Sequence, residues 1–360
     1  MIVYILLFAA VCLYGMKISN KESNSYFSDY LSVNKTMSIK GIFIIVVFFA
    51  HFNSYVTYTL PIDVTYYKLF SLLGQRIVTL FLFYSGYGVM ESIKKKKMSY
   101  VKRIPVQRFL GTLFRFDIAI ILFLIVNIVL KREFTIPQLL LSFVGWDSLD
   151  NSNWYIFAIL IAYLITYISF MICRDKGNYY PAALLVTIGA VVYVYILAHF
   201  ELKQGYWFNT MILYPCGIWY SLLKDKIDKI VNKNFMVWLC AFVLAIVGEY
   251  LTFKYASVSF AIYSASMILF AAVVILFTMR FSIDNKVLRW CGKHLFGLYI
   301  LQRIPMILFS ELGLASYNIY LYFAVCFVSS VILAWLFEKY IGKLWHLIST
   351  PKAKIKSENK

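Results

Sequence analysis

The residues best suited to chemistry lie in one apolar run. Between residues 37 and 56, Lys40 stands ahead of ten residues that are all apolar or glycine, and His51 follows them. Eleven helical steps of 100° make about three full turns, so the two side chains share a face about 16 Å apart along the axis. A lysine at the edge of the hydrocarbon suits the phosphates of an anionic co-substrate. An imidazole three turns deeper suits a reactive group on a long flexible arm, which is the shape of coenzyme A. Span formation does not require a histidine, and an ionisable side chain inside a span is a functional candidate by default. The plain alternative makes Lys40 a boundary anchor and His51 a hydrogen-bonded core group.

A second set of polar residues sits in or beside other apolar runs. Arg76 starts one of them, where an acidic sugar or a phosphate-linked acceptor would meet it; its plain role is an interfacial arginine with its head in water. Tyr84 and Ser85 lie mid-run beside Gly86 and could offer hydroxyls to a cavity, while Gly86 itself is the kind of residue that lets two helices approach. Arg303 follows Gln302 at mid-span depth, must be paired or hydrated, and is expected to line the same cavity as His51. Glu249 and Glu311 are further polar groups in or near spans, while Trp154, Tyr155, Trp207 and Trp219 are expected in interfacial belts. The four histidines and six cysteines are scattered, without HExxH, CxxC or paired carboxylates, so no metal is expected.

The surrounding chain dictates what must position these groups. Of 360 residues, 62% are hydrophobic and only 14% charged, with a mean hydropathy of +0.75. Soluble domains run near 25% charged, so the apolar excess must face lipid. Continuous apolar runs, rather than alternating ones, exclude a membrane barrel. The expected fold is an all-α polytopic bundle of eleven spans: 2–18, 38–56, 72–91, 113–130, 153–173, 179–198, 207–223, 234–252, 258–279, 293–310 and 316–338. The first is expected to be an anchor and not a cleaved signal, lacking a basic leader and a small-residue cleavage site.

The chain holds 35 lysines and arginines against 17 acidic residues. With the N-terminus outside and the C-terminus cytoplasmic, all the cations fall on the inner side except Lys68, Arg76, Lys131, Arg132, Lys203, Lys254 and the mid-span Arg303. The net charge of +18 is thereby explained by topology, and no nucleic-acid partner is needed. The Lys94–Lys97 run is assigned to topology and lipid headgroups.

The motifs in order resemble those of acyltransferase family 3, integral membrane proteins. The basic residue, ten-residue gap and histidine of Lys40–His51 resemble the family signature. Residues 74–89, with Phe83-Tyr84-Ser85-Gly86-Tyr87, are similar to its glycine, apolar and Ser-Gly segment. Residues 100–109, carrying Lys102, Arg103 and Arg108, resemble the basic loop after it; Asn153-Trp154-Tyr155 and residues 291–305 resemble later segments. Two departures stand out. Lys40 occupies a position more often arginine, and Gln302 stands where many members carry a second histidine.

The resemblance implies three regions: an extra span and cytoplasmic linker over 1–35, the membrane acyltransferase domain over 36–345, and a basic cytoplasmic tail over 346–360. It implies transfer of an acyl group, commonly acetyl, to hydroxyls of cell-surface or lipid-linked saccharides. Acyl-CoA would be a co-substrate with no permanently bound cofactor, its phosphates held by Lys40, Arg103 and Arg108. His51 would serve as general base or as transient acyl carrier. Arg76, Tyr84, Ser85 and Arg303 would line the cavity or meet the acceptor. No hydrolase-like domain follows the last span, so transfer would be completed by the membrane domain or by a polysaccharide-assembly partner; a homo-oligomer is compatible with this. The expected location is a bacterial cytoplasmic membrane, on usage rich in Lys, Ile and Tyr. The rival classes are a polysaccharide flippase or polymerase and a secondary transporter, the latter expected to carry inverted repeats.

Overall fold

The computed structural model describes residues 1–19, 26–174 and 177–349, and helices account for most of them. α1 (Ile2–Leu13) turns at Gly15, where φ is +75°, into strand β1 (Lys17–Ile18), which pairs antiparallel with β2 (Phe281–Ser282). α2 (Val33–Phe52) carries Lys40 and His51, and α3 (Pro61–Lys96) carries the Ser85-Gly86 segment. α4 (Met98–Val101) and a π-helical stretch (Ile104–Leu110) lead into α5 (Gly111–Val129). There follow α6 (Ile136–Phe143), α7 (Trp154–Cys173), α8 (Tyr180–His199), α9 (Leu213–Val231), α10 (Phe235–Lys254) and α11 (Phe260–Arg280). The described residues end in α12 (Lys286–Lys293), α13 (Leu295–Leu301), α14 (Arg303–Glu311), α15 (Leu314–Tyr317) and α16 (Ile319–Ser349).

Local chemistry explains where these helices begin. Side chains of Thr135, Asn234 and Ser259 accept from the backbone N–H of Gln138, Val237 and Ile262, capping α6, α10 and α11. Prolines open α3, α6 and α8, where the missing N–H would have no helical partner anyway.

Among the described residues, eight helices are long and apolar enough to cross a bilayer, and the chain is a multi-pass, all-α membrane protein. They coincide with eight of the eleven expected spans. The other three segments differ for identifiable reasons. The first forms only the 12-residue α1, about 18 Å long, because the chain turns at Gly15. The seventh begins at Leu213, not 207, and α9 runs on into Lys224, Asp225, Lys226, Asp228 and Lys229. The tenth is split at Gln302 into α13 and α14. The expected loop over 131–152 contains α6. α16 continues through 346–349, and the rest of the expected tail lies outside the described residues.

The chain divides into two compact units. One comprises Met1–Val47, Tyr58–Val101 and Ile168–Lys293. Its most extensive helix pair is α3 against α9. The pair closes on two glycines: a Cβ at Gly86 would run into the Tyr214 carbonyl oxygen, and one at Gly217 into that of Phe83. The segment before α2 is fastened to α9 by the Tyr30 hydroxyl, 2.7 Å from both the Tyr220 hydroxyl and an Asp228 carboxylate oxygen. Burial raises Tyr30 above the ordinary tyrosine range, so its hydroxyl remains a donor.

The second unit comprises Phe48–Thr57, Lys102–Tyr167 and His294–Lys360. Here α16 packs on α13 and α14, and its Phe323 and Phe327 meet Phe48 edge-on at centroid distances of 5.3 and 5.2 Å. The backbone N–H of Gly297 donates to Glu338, which also pairs with Arg115 at 3.5 Å.

Candidate active site

His51 sits in the last turn of α2, before a 3-10 turn over Asn53–Tyr55. Its Nε2 lies 3.4 Å from the Ser152 hydroxyl, and its ring centroid 6.2 Å from that of Tyr299. Tyr299 in turn meets Tyr155 edge-on at 5.5 Å. Arg303 holds its guanidinium 6.0 Å from the Tyr55 ring, in the turn that follows His51. All of these residues belong to the second unit.

Local structure explains why these side chains converge. Pro305 has no N–H to give the Leu301 carbonyl, and the helix breaks at the next residue, Gln302. The Gln302 side-chain amide donates to the Tyr299 carbonyl at 3.1 Å. Ser152 arrives from a polar loop cross-linked by its own side chains. Asn151 Oδ1 accepts from the Leu149 N–H at 2.9 Å, and Asn153 Nδ2 donates to the Gly145 and Asp147 carbonyls at 3.0 and 2.7 Å. Asn127 reaches across from α5 to the Leu149 carbonyl at 3.2 Å.

The cluster holds buried polar atoms without a hydrogen-bond partner in the protein: His51 Nδ1, Asn151 Nδ2, Tyr299 Oη, Gln302 Oε1 and Arg303 Nε. Each such atom costs about 1–3 kcal/mol to bury unmet. Buried polar groups are ordinarily satisfied, and these atoms offer both donors and acceptors to a polar ligand.

The other candidates fall elsewhere. Lys40 lies in the first unit, its Nζ 5.7 Å from the centroid of the buried Tyr84 ring, which packs against Phe43 and Phe83. Ser85 is half-buried beside the Gly86 crossing. Arg76, also in the first unit, pairs with Glu249 at 2.6 Å and donates to Ser266 at 2.9 Å. Its guanidinium stacks 3.7 Å from the Phe253 ring. The expectation of an interfacial arginine with its head in water gives way to a buried ion pair, because α10 supplies the carboxylate. Arg103 and Arg108 are exposed, at the start and within the π-helical stretch of the second unit.

Sequence reasoning overlooked Ser152 and Tyr299. The available signal for the first was the polar run 147–153 directly ahead of an aromatic span. Tyr155 and Trp207, expected in interfacial belts, are buried.

A family model described as an acyltransferase domain, Acyl_transf_3, matches residues 38–339 and so covers most of the chain. No protein of curated function and no solved structure matches.

Proposed function

Because the chain belongs to this acyltransferase family, we propose that it is a membrane O-acyltransferase that moves an acyl group, in the first instance acetyl, from acyl-CoA to a hydroxyl of a cell-surface or lipid-linked saccharide. The observation that carries this reading is the buried, unpartnered Nδ1 of His51 beside Ser152, Tyr299 and Arg303. In the direct route His51 takes the proton of the acceptor hydroxyl as its oxygen attacks the thioester carbonyl. Arg303 and the Tyr299 hydroxyl are the groups suited to the oxyanion that develops. The C–S bond then breaks, and the CoA thiolate leaves with the proton held by the imidazolium. In the carrier route an imidazole nitrogen attacks the thioester carbonyl, the C–S bond breaks and the CoA thiolate leaves with the ring proton; the acceptor hydroxyl then takes the acyl group and returns its proton to the ring.

The donor enters from the cytoplasm in this reading, with Lys40, Arg103 and Arg108 serving its phosphates. Support comes from the lysines and arginines gathered near the start of α2 and along the π-helical stretch, the charge bias expected of a cytoplasmic side. Lysine offers a point charge where arginine would offer a fork, so the phosphate grip at position 40 is less directional. The enzyme acts in the cytoplasmic membrane and needs no bound cofactor or metal.

The test is transfer of labelled acetate from acetyl-CoA to surface glycans by membranes carrying wild type or His51→Ala. Loss of a positioned base lowers the rate about 10²–10⁴-fold. Equal labelling by the two would remove His51 from the chemistry. No labelling by wild type, with polymer export lost in a deletion strain, would favour a transport function.

A further inference from the structure

Ser152 and the two nitrogens of His51 present an asymmetry. Nε2 faces the Ser152 hydroxyl at 3.4 Å, whereas Nδ1 is buried with no protein partner. A serine beside a histidine could be a nucleophile, but in that arrangement the far nitrogen is held by a third group that orients the ring. Nδ1 has no such group. The opposite assignment fits both nitrogens. A hydroxyl accepts from an Nε2–H as readily as it donates to a bare Nε2, and only the first leaves Nδ1 with the lone pair that a base at that atom needs. The separation is longer than a relaxed hydrogen bond, as catalytic contacts often are before substrate tightens them.

From this geometry we infer that Ser152 is a positioning residue that holds His51 as the Nε2–H tautomer, so that Nδ1 is the atom that takes the acceptor's proton. The inference rests on the proposed reading of His51 as the base. The loop is built to hold a hydroxyl in a fixed place. Asp150 adopts a left-handed conformation, φ +68°, and its carboxylate is gripped by Arg132 at 2.6 Å, which also binds Glu311 of α14. Ser148 donates to the Asn151 carbonyl at 2.8 Å, and Gln138 of α6 donates to the Ser148 carbonyl at 3.0 Å. The backbone leading into Ser152 is thus fixed from α5, α6 and α14 together. The proton leaves the acceptor oxygen for Nδ1 and returns to the departing thiolate, with Nε2–H and the Ser152 hydroxyl unchanged at the end of the cycle.

The test uses the 360-residue chain in lipid nanodiscs with labelled acetyl-CoA and surface glycan extracted from the cells that make it. Ser152→Ala is expected to lower kcat about ten- to a hundredfold with KM for acetyl-CoA unchanged, and Ser152→Thr, which keeps the hydroxyl, to recover most of it. A second readout needs no turnover. The chain has four histidines, so ¹⁵N-histidine labelling with a His51→Gln subtraction isolates the ring of interest. The expected signal is protonated Nε2 and unprotonated Nδ1 in wild type, and a mixture of tautomers in Ser152→Ala. A wild-type ring protonated on Nδ1, or a Ser152→Ala enzyme with unchanged kcat, overturns the inference. So does an acyl adduct on Ser152 in the quenched wild type, which would make it the nucleophile. Full activity in His51→Ala would instead remove the reading on which the inference stands.

Discussion

A single charged residue inside a membrane means different things according to what faces it. His51 and Arg76 were equally prominent as ionisable groups in apolar sequence, yet one retains an unpartnered nitrogen and the other is neutralised by Glu249. Breaking such a pair leaves a charge stranded in a low-dielectric surrounding. Glu249→Ala is therefore expected to cost about 3–5 kcal/mol of unfolding free energy, measured in mixed micelles, while Arg76→Met combined with Glu249→Met recovers most of it. Equal stability of the single and double variants would show that the pair does not hold α3 to α10. Histidine 51 was legible because its type is rare in such a run. Ser152 was not, since a serine in a polar loop has no local mark; only the fold brings it to the imidazole. The partner of Arg76 was hidden for the same reason, 173 residues away in the chain.

At the scale of elements, hydropathy revealed the long helices well, because lipid forces each to satisfy its own backbone. It misjudged the places where composition and geometry part. Gln302 and Pro305 interrupt one apolar stretch, and the short α6 was hidden among polar neighbours. The closeness of α3 and α9 is carried by Gly86 and Gly217, not by hydrophobicity. Gly217→Ala should thus lower stability by about 1–3 kcal/mol, since the added methyl meets a backbone oxygen that cannot step aside. Gly88, one residue pair along from Gly86, has nothing within 4 Å of an added Cβ. Gly88→Ala should be neutral or slightly stabilising, as helix propensity favours alanine. Thermal unfolding in detergent distinguishes these outcomes, and matched losses at both sites would refute the close crossing.

For the whole molecule, the distribution of basic residues makes the sharpest claim. The last turn of α3 and its C-cap hold Lys95, Lys96 and Lys97, so this end should face the cytoplasm. A cysteine introduced at Met98 is expected to resist an impermeant thiol reagent in intact cells and to react after permeabilisation; ready labelling in intact cells would invert the assignment of sides. Cys291 should add little background, because burial pushes its thiol up to about 11 and leaves almost no thiolate near pH 8. The overall class was legible from composition and the family from ordered motifs. The division into two compact units was not, since it depends on which distant segments pack together.

One consequence belongs to α2. Its helix runs unbroken from Val33 to Phe52 with His51 in the last turn, so the aim of the imidazole is set by helical phase. One residue inserted directly ahead of His51 would swing the ring about 100° away from the Ser152 hydroxyl. An insertion there changes direction while leaving composition and hydropathy almost untouched.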